Sequence, residues 1–356
     1  MRLFDTIASM GHEQVVLCHD DSAGYRGIIA IHSTTLGPAL GGTRFWKYES
    51  DEAAVIDALR LARGMTYKNA VAGLNLGGGK SVIIGDNRTV QREMIFRAHG
   101  RFVESLGGRY VTAEDVGTGT TDMDYVHMET DYVAGLAARS GDPSPVTARG
   151  VFRAIQASAK ERWGKDDLSG KTITIQGCGH VGQYLAQELH AVGAKLIVAD
   201  IDAERVKRVV NDTGAKGVKP DEIYAQKADV FAPCALGAII NDKTIPQLQV
   251  EIVAGAANNQ LAEEKHGDAL EKRGILYAPD YVANAGGVIN VYSELAGWDS
   301  ARALRKADEI YDTVLMVFEI AKKEKMPTYA AADRLAERRL KSVGSMVRTW
   351  PQWPNK

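Results

Sequence analysis

One stretch constrains this chain more than any other: TITIQ (172–176), followed at once by Gly177, Cys178, Gly179, His180, Val181 and Gly182, then by QYLAQELHAVG. The β-branched run predicts a buried strand, the G-x-G-x-x-G a tight turn, and the remainder a helix. Gly177 permits the turn, Gly179 lets backbone approach a pyrophosphate, and Gly182 lets helix and strand pack closely, with the helix N-terminus favouring negative charge. Such a triplet also occurs in plain turns, so its context matters. The next apolar run, AKLIVAD, ends in Asp200, near the spacing of about 20 residues at which a carboxylate accepts from adenosine ribose hydroxyls. With Asp202 nearby a 2′-phosphate would be repelled, which predicts NAD rather than NADP. Asp200 could instead cap the helix AERVKRVV.

Strand, helix, strand in that order implies a parallel sheet, and DVFAPCA, EIVAGAA and ILYAP extend it as short apolar runs with small or glycine-rich ends. At 356 residues the chain exceeds what one core usually serves, so two domains with a cleft between them are expected. The Pro/Ser/Gly-rich SGDPSPVT (140–147) reads as a hinge between them. Before it, RGIIAIHST and SVIIG read as strands. Val55, Leu59, Ala62 and Met65 mark a helix over 52–66 with Lys68 just past its end. Leu304 to Ala321 keeps a helical period, Pro327 breaks it, and 328–343 forms a last amphipathic helix.

Several functions are disfavoured. A formal net charge of −2 with no long Lys/Arg block offers no footprint for nucleic acid or an anionic membrane. Three scattered cysteines, Cys18, Cys178 and Cys234, read as free thiols, without the paired spacing of zinc ligands. No metal is expected. Cys178 and His180 read as loop residues, and Cys234, lacking a base in sequence, as a small buried one. With no secretory signal and no run of ~18 apolar residues, the expected location is the cytoplasm.

The chemistry centres on GMTYKNAVAGLNLGGGKS, which holds Lys68 and, after three glycines at the threshold of a strand, Lys80. Glycines there would let a substrate approach backbone and lysine together. A lysine beside another cation and partly desolvated has its pKa lowered, which makes a general base near neutral pH. Taken singly, each lysine reads equally as a solvated surface charge. Asp115, in VTAEDVGTGTTDMD at the end of an apolar strand, shuttles a proton or caps the following segment.

The strings TTLGPALGGTR, DALRLARGMTYKNA, GLNLGGGKS, YVTAEDVGT, FAPCALGA, GAANNQL and YAPDYVANAGGVINV resemble the glutamate, leucine, phenylalanine and valine dehydrogenase family, most closely its leucine-specific members, over nearly the whole chain. The resemblance implies an α/β fold of two domains separated by a cleft: a substrate-binding and oligomerisation domain over 1–138 plus 328–356, and a doubly wound Rossmann-type NAD domain over 139–327. It implies that Lys68 binds the α-carboxylate, Lys80 is the acid/base and Asp115 assists. Gly41 and Gly42 would border the amino acid, Arg44 and Thr147 the cofactor region, and Asn258 the nicotinamide. Asn259 and Asn284 would be polar groups near substrate or cofactor, and Arg205, Ala235 and Leu236 complete the cofactor set.

Glutamate-specific relatives carry lysine where this chain has Leu40, so a second substrate carboxylate would be buried unpartnered at a cost of several kcal/mol. Leu40, Met65, Ala113, Val288 and Val291 would line an alkyl pocket. The implied reaction is reversible, NAD-dependent oxidative deamination of a branched-chain L-amino acid, leucine with valine and isoleucine, to the 2-oxo acid and ammonia. An aromatic amino acid on the same scaffold is the alternative, and an NAD-binding protein without chemistry a further one. One methylene is worth only ~1–3 kcal/mol, so broad branched-chain activity is expected. Relatives assemble as dimers or octamers, which implies a homo-oligomer.

Overall fold

Strands and helices sort into two units, Met1–Ala134 with Ala336–Lys356 and Gly135–Leu335. The computed structural model describes residues 2–136 and 141–346. The expected cut at 138/139 lies outside the described residues.

Unit 1 runs α1 (Leu3–Met10), β1 (Gln14–Asp20), β2 (Tyr25–Ser33), β3 (Ala39–Trp46), α2 (Asp51–Val71), β4 (Gly77–Ile84), α3 (Arg92–Glu104), β5 (Tyr110–Glu114) and α4 (Thr120–His127). The sheet order is β1-β2-β4-β3-β5. β2 pairs antiparallel with β1 and β4, while β3 pairs parallel with β4 and β5. Alternation along each strand divides the side chains between two faces. Ile28, Ala30 and Val82 on one face pack against Ala54, Ala58, Leu59 and Ala62 of α2. Thr43, Ser81 and Thr112 on the other face surround His99 of α3.

Set into that second face, beside Phe45 and Phe96, is a buried polar network. His99 Nδ1 is hydrogen-bonded to Tyr25 Oη at 2.9 Å and its Nε2 to Thr43 Oγ1 at 2.9 Å. Thr43 reaches Ser81 and Thr112, and Tyr110 Oη donates to the Gly41 carbonyl. Every member is satisfied, which is what makes such a network tolerable in a low dielectric.

Burial lowers the His99 pKa to about 3, so the fold keeps this ring neutral. Between pH 6.5 and about 3 the unfolded chain binds a proton that the folded chain refuses. Stability is therefore complete above the unfolded pKa and is lost as pH falls, by up to about 1.4 kcal/mol per pH unit for this one ring. Urea melts at pH 7.5 and 4.5 check this: His99→Asn is expected to show a shallower loss than the parent, and an equal loss in both would refute it.

Unit 2 runs α5 (Ser144–Trp163), β6 (Thr172–Gln176), α6 (His180–Ala191), β7 (Lys195–Ala199), α7 (Ala203–Thr213), β8 (Lys216–Gly217), β9 (Val230–Pro233), β10 (Ile252–Val253), α8 (Lys265–Lys272), β11 (Leu276–Tyr277), α9 (Asp280–Ala283), α10 (Gly286–Leu295), α11 (Ser300–Asp308) and α12 (Ile310–Glu324). The order β11-β10-β9-β6-β7-β8, parallel throughout, is a doubly wound sheet whose two halves meet between β6 and β9.

Four local expectations are corrected. Residues 144–147 of the stretch expected to be a hinge form the first turn of α5, because Pro143 stands at its N-cap and Pro145 inside the first turn, where a missing N–H costs nothing. The period from Leu304 to Ala321 is two helices, parted at Glu309. α2 continues to Val71, so Lys68 lies inside it. β4 begins at Gly77, so Lys80 sits mid-strand.

The last helix, α13 (Thr328–Gly344), contains the second divide at 335/336 rather than following it at 327/328. Its first half bonds within unit 2, Tyr329 to Asp268 and Tyr281 to Asp333. Within unit 1, Arg339 donates to the carbonyls of Asn69 and Ala70.

Candidate active site

The register of unit 1 decides which residues share a face. Leu40 pairs with Gly78 and Val111, Thr43 with Ser81, and Gly42 with Ala113. Leu40, Gly42 and Arg44 of β3 therefore lie on the α2 side with Gly78, Lys80 and Val82 of β4 and Ala113 of β5. Gly41 alternates to the network side, where its carbonyl accepts from Tyr110 Oη. A Cβ on Gly78 would overlap the Thr66 backbone nitrogen of α2. Gly78 thus lets helix and sheet approach closely.

Lys80 is only 4% exposed, and its Nζ lies 3.0 Å from Asp115 Oδ1. The other carboxylate oxygen accepts from Arg44 Nε at 2.9 Å, and Arg44 Nη1 donates to Asp57 Oδ2 of α2 at 2.8 Å. Tyr48 Oη and Arg60 also donate to Asp57. Charges alternate along this chain, with each carboxylate between two cations. Burial lowers the Lys80 pKa against the opposing pull of Asp115, with Arg44 adding to the decrease. Burial raises that of Asp115, but Lys80 and Arg44 outweigh it and the net direction is down. Asp115 is thus held as an anion, and Lys80 is the member of the pair whose proton is loosened.

Arg44 bonds two carboxylates of its own unit, Asp115 and Asp57. Lys68 and Met65 are half-buried on α2, while Leu40 and Ala113 are buried in the sheet.

In unit 2 the strand-turn-helix context of the glycine motif is realised. Gly177 follows β6 with φ +104°, a conformation that favours glycine, and a Cβ there would lie 2.9 Å from Ala235 N. A Cβ on Gly182 would overlap the Gly177 carbonyl. α6 starts at His180 with Gly179 as its N-cap and no side chain capping it. His180 is exposed and Val181 half-buried at the helix start. Burial first, then the charge of Asp200, pushes the Cys178 thiol up to about 12, so it is no nucleophile.

Asp200 follows β7 and accepts from the backbone N–H of Cys178 at 2.6 Å and of Asp202 at 2.9 Å. The alternative reading of Asp200 as a cap is settled: Asp202 is the N-cap of α7, accepting from Glu204 and Arg205. The Arg205 side chain pairs with Asp202 at 3.2 Å.

Ala235 and Leu236 follow β9 as exposed residues, Leu236 at 73%. Asn258 and Asn259 follow β10, both exposed. Asn284 is buried and donates to Asn258 Oδ1 at 2.8 Å and to the Ala256 carbonyl, while its own Oδ1 is buried without a protein partner. Thr147, in the first turn of α5, donates to the Pro143 carbonyl. Val288, buried, and Val291, half-buried, sit one turn apart on α10. A glycine-only turn, a helix N-terminus and an orphaned amide oxygen beyond the carboxyl ends of β6, β9 and β10 fit a dinucleotide carrying a carboxamide.

Comparison with known proteins accords with this construction. Residues 12–132 match the model described as Glu/Leu/Phe/Val dehydrogenase, dimerisation domain, and residues 198–343 that of Glutamate/Leucine/Phenylalanine/Valine dehydrogenase. Residues 146–249 also match the NAD binding domain of D-isomer specific 2-hydroxyacid dehydrogenases. Leucine dehydrogenase of Bacillus cereus is 56% identical over 98% of this chain and 96% of its own length. The chain belongs to the glutamate/leucine/phenylalanine/valine dehydrogenase family. Within that family, leucine dehydrogenase of Geobacillus stearothermophilus is 57% identical over 96% of this chain and 94% of its own. The crystal structure of L-tryptophan dehydrogenase from Nostoc punctiforme is 48% identical with a TM-score of 0.88, covering 96% of this chain and 99% of that one.

Two parts of this dehydrogenase's site escaped the sequence reading. Asp57 left one faint signal: residues 57 and 68, three helical turns apart, fall on the same face of α2. His99 and its hydroxyl partners left none, since Tyr25, Thr43, Ser81 and Thr112 are drawn together only by sheet register.

Proposed function

We propose that the protein catalyses reversible, NAD-dependent oxidative deamination of branched-chain L-amino acids, leucine with valine and isoleucine, to the 2-oxo acid and ammonia. The observation that carries the reading is the buried Lys80–Asp115 pair on the face that also holds Leu40, with Arg44 fixing the carboxylate. Unit 1 is assigned to the amino acid and to self-association, and unit 2 to the dinucleotide through Gly177, Gly179, Gly182, Asp200 and Asn284.

In this mechanism the Lys68 ammonium binds the α-carboxylate. A base takes a proton from the substrate ammonium so that the nitrogen lone pair can form the C=N bond as the Cα–H bond breaks. The chemistry NAD supplies when bound is acceptance of the hydride from Cα. Neutral Lys80 then takes a proton from water as its oxygen attacks the iminium carbon, returns it to the carbinolamine nitrogen, and takes the hydroxyl proton as the C=O bond forms and ammonia leaves. Asp115, held as an anion, aims Lys80 rather than titrating with it. Apolar Leu40 accepts an alkyl side chain and leaves a γ-carboxylate without a partner.

Steady-state rates with leucine, valine, isoleucine, glutamate, phenylalanine and tryptophan test the assignment. Leucine is expected to lead, with valine and isoleucine within about 200-fold and glutamate undetectable. Phenylalanine or tryptophan ahead by tenfold would overturn the branched-chain reading. A homo-oligomer, dimer or octamer, is also proposed, supported by the dimerisation-domain match over 12–132. A cytoplasmic location is proposed from the unpaired cysteines and because no helix among the described residues is long and apolar enough to cross a membrane.

A further inference from the structure

The group behind the acid/base pair has no role in substrate binding as described above, yet it is built more elaborately than a surface ion pair. Arg44 is one-fifth exposed and Asp57 somewhat less. Asp57 receives three donors, Tyr48 at 2.7 Å, Arg44 at 2.8 Å and Arg60 at 2.8 Å. The carboxylate is therefore pinned on α2, and it pins the Arg44 guanidinium in turn. Arg44 presents Nε to the Asp115 oxygen that does not face Lys80. We propose that Arg44 and Asp57 are positioning residues that set the proton affinity of Lys80 from behind Asp115, acting with opposite sign.

The sign follows from charge and order. Arg44 is a cation near a buried ammonium, so its presence favours neutral Lys80. Asp57 is an anion that cancels part of that cation, so its presence favours charged Lys80. Both directions agree with the influences felt by Lys80, which Arg44 lowers and Asp57 raises. The charged groups facing Lys80 are Asp115 after β5, Arg44 on β3 and Asp57 on α2, a helix that also carries Lys68. β2 contributes the uncharged Ala30 at the same register. In a low dielectric each of these charges acts at greater strength than at the surface.

The inference rests on Lys80 being the titrating base. The test is the pH profile of kcat for leucine oxidation by the full chain at saturating leucine and NAD, comparing the parent with Arg44→Gln, Arg44→Lys, Asp57→Asn and Lys80→Ala. Because neutral Lys80 is the active form, kcat rises with pH along the acidic limb. Arg44→Gln is expected to move that limb to higher pH and Asp57→Asn to lower pH, each by at least about half a pH unit, a threefold change in rate on the limb. Arg44→Lys, which keeps the charge, should return it close to the parent. Limbs that stay in place, or both move the same way, overturn the proposal. Should Arg44→Gln fail to fold, Asp57→Asn decides alone: a limb unmoved or moved upward overturns it. Turnover retained in Lys80→Ala overturns the reading of Lys80 itself and this inference with it. A silent Lys80→Ala beside unmoved limbs overturns the inference alone.

Discussion

Lys80→Ala is expected to lower kcat/KM for leucine by about 10³-fold or more, within the span that a positioned acid/base contributes, while NAD affinity changes by less than about threefold. The asymmetry follows from where the residue sits. Lys80 belongs to β4 of unit 1, and the glycine turn, Asp200 and Asn284 belong to unit 2. The variant should fold, because Asp115 keeps Arg44 as partner at 2.9 Å and is not left as an orphaned anion. Small primary amines added to the assay should restore part of the rate by occupying the space the lysine leaves. Calorimetric NAD binding beside steady-state kinetics checks both halves; near-parental turnover would refute the role of Lys80.

The second large effect is expected from a single methyl group. Gly42 stands on β3 beside Ala113, and a Cβ there would overlap the Glu114 carbonyl and approach Asp115 Cβ to 2.8 Å. Backbone cannot yield as a flexible side chain would, so Gly42→Ala must shift the end of β5 that carries Asp115. Overpacking of this kind costs about 1–3 kcal/mol. The kinetic consequence is larger, since misplacing a catalytic group by about 1 Å can cost on the order of 10²-fold. A fall of about that size in kcat, with a lowered melting temperature and NAD binding preserved, is the expected outcome. A folded variant with the parental kcat would show that Asp115 need not be held where it is.

The two domains and the parallel nucleotide-binding sheet were legible because their signals are local. TITIQ, the glycine triplet and LIVAD lie within about thirty residues of one another, and Gly177 and Gly182 answer to close approaches that a side chain would block. Lys80 and Asp115 were legible only as candidates. Nothing in GLNLGGGKS or YVTAEDVGT alone says that these side chains meet, and of the glycines before Lys80 it is Gly78 that serves the approach of α2. Helix limits slipped for a similar reason: Lys68 proved to be inside α2 because the packing of the helix on the sheet carries it past the apolar period that marks its first four turns.

The sequence by itself determined which backbone shapes are allowed: where φ must be positive, where apolar periods change from two to 3.6, and where a leucine replaces a charge in the expected pocket. Tertiary structure decided which charges become neighbours. Arg44 meets Asp115 across 71 positions and Asp57 across 13, and His99 joins hydroxyls from three strands. The sheet order β2-β4-β3-β5 sets those distances. Turns and periods are fixed by interactions between residues a few positions apart, whereas an ion pair depends on the register of strands that the chain reaches by separate routes. That register is settled only when the whole sheet is packed.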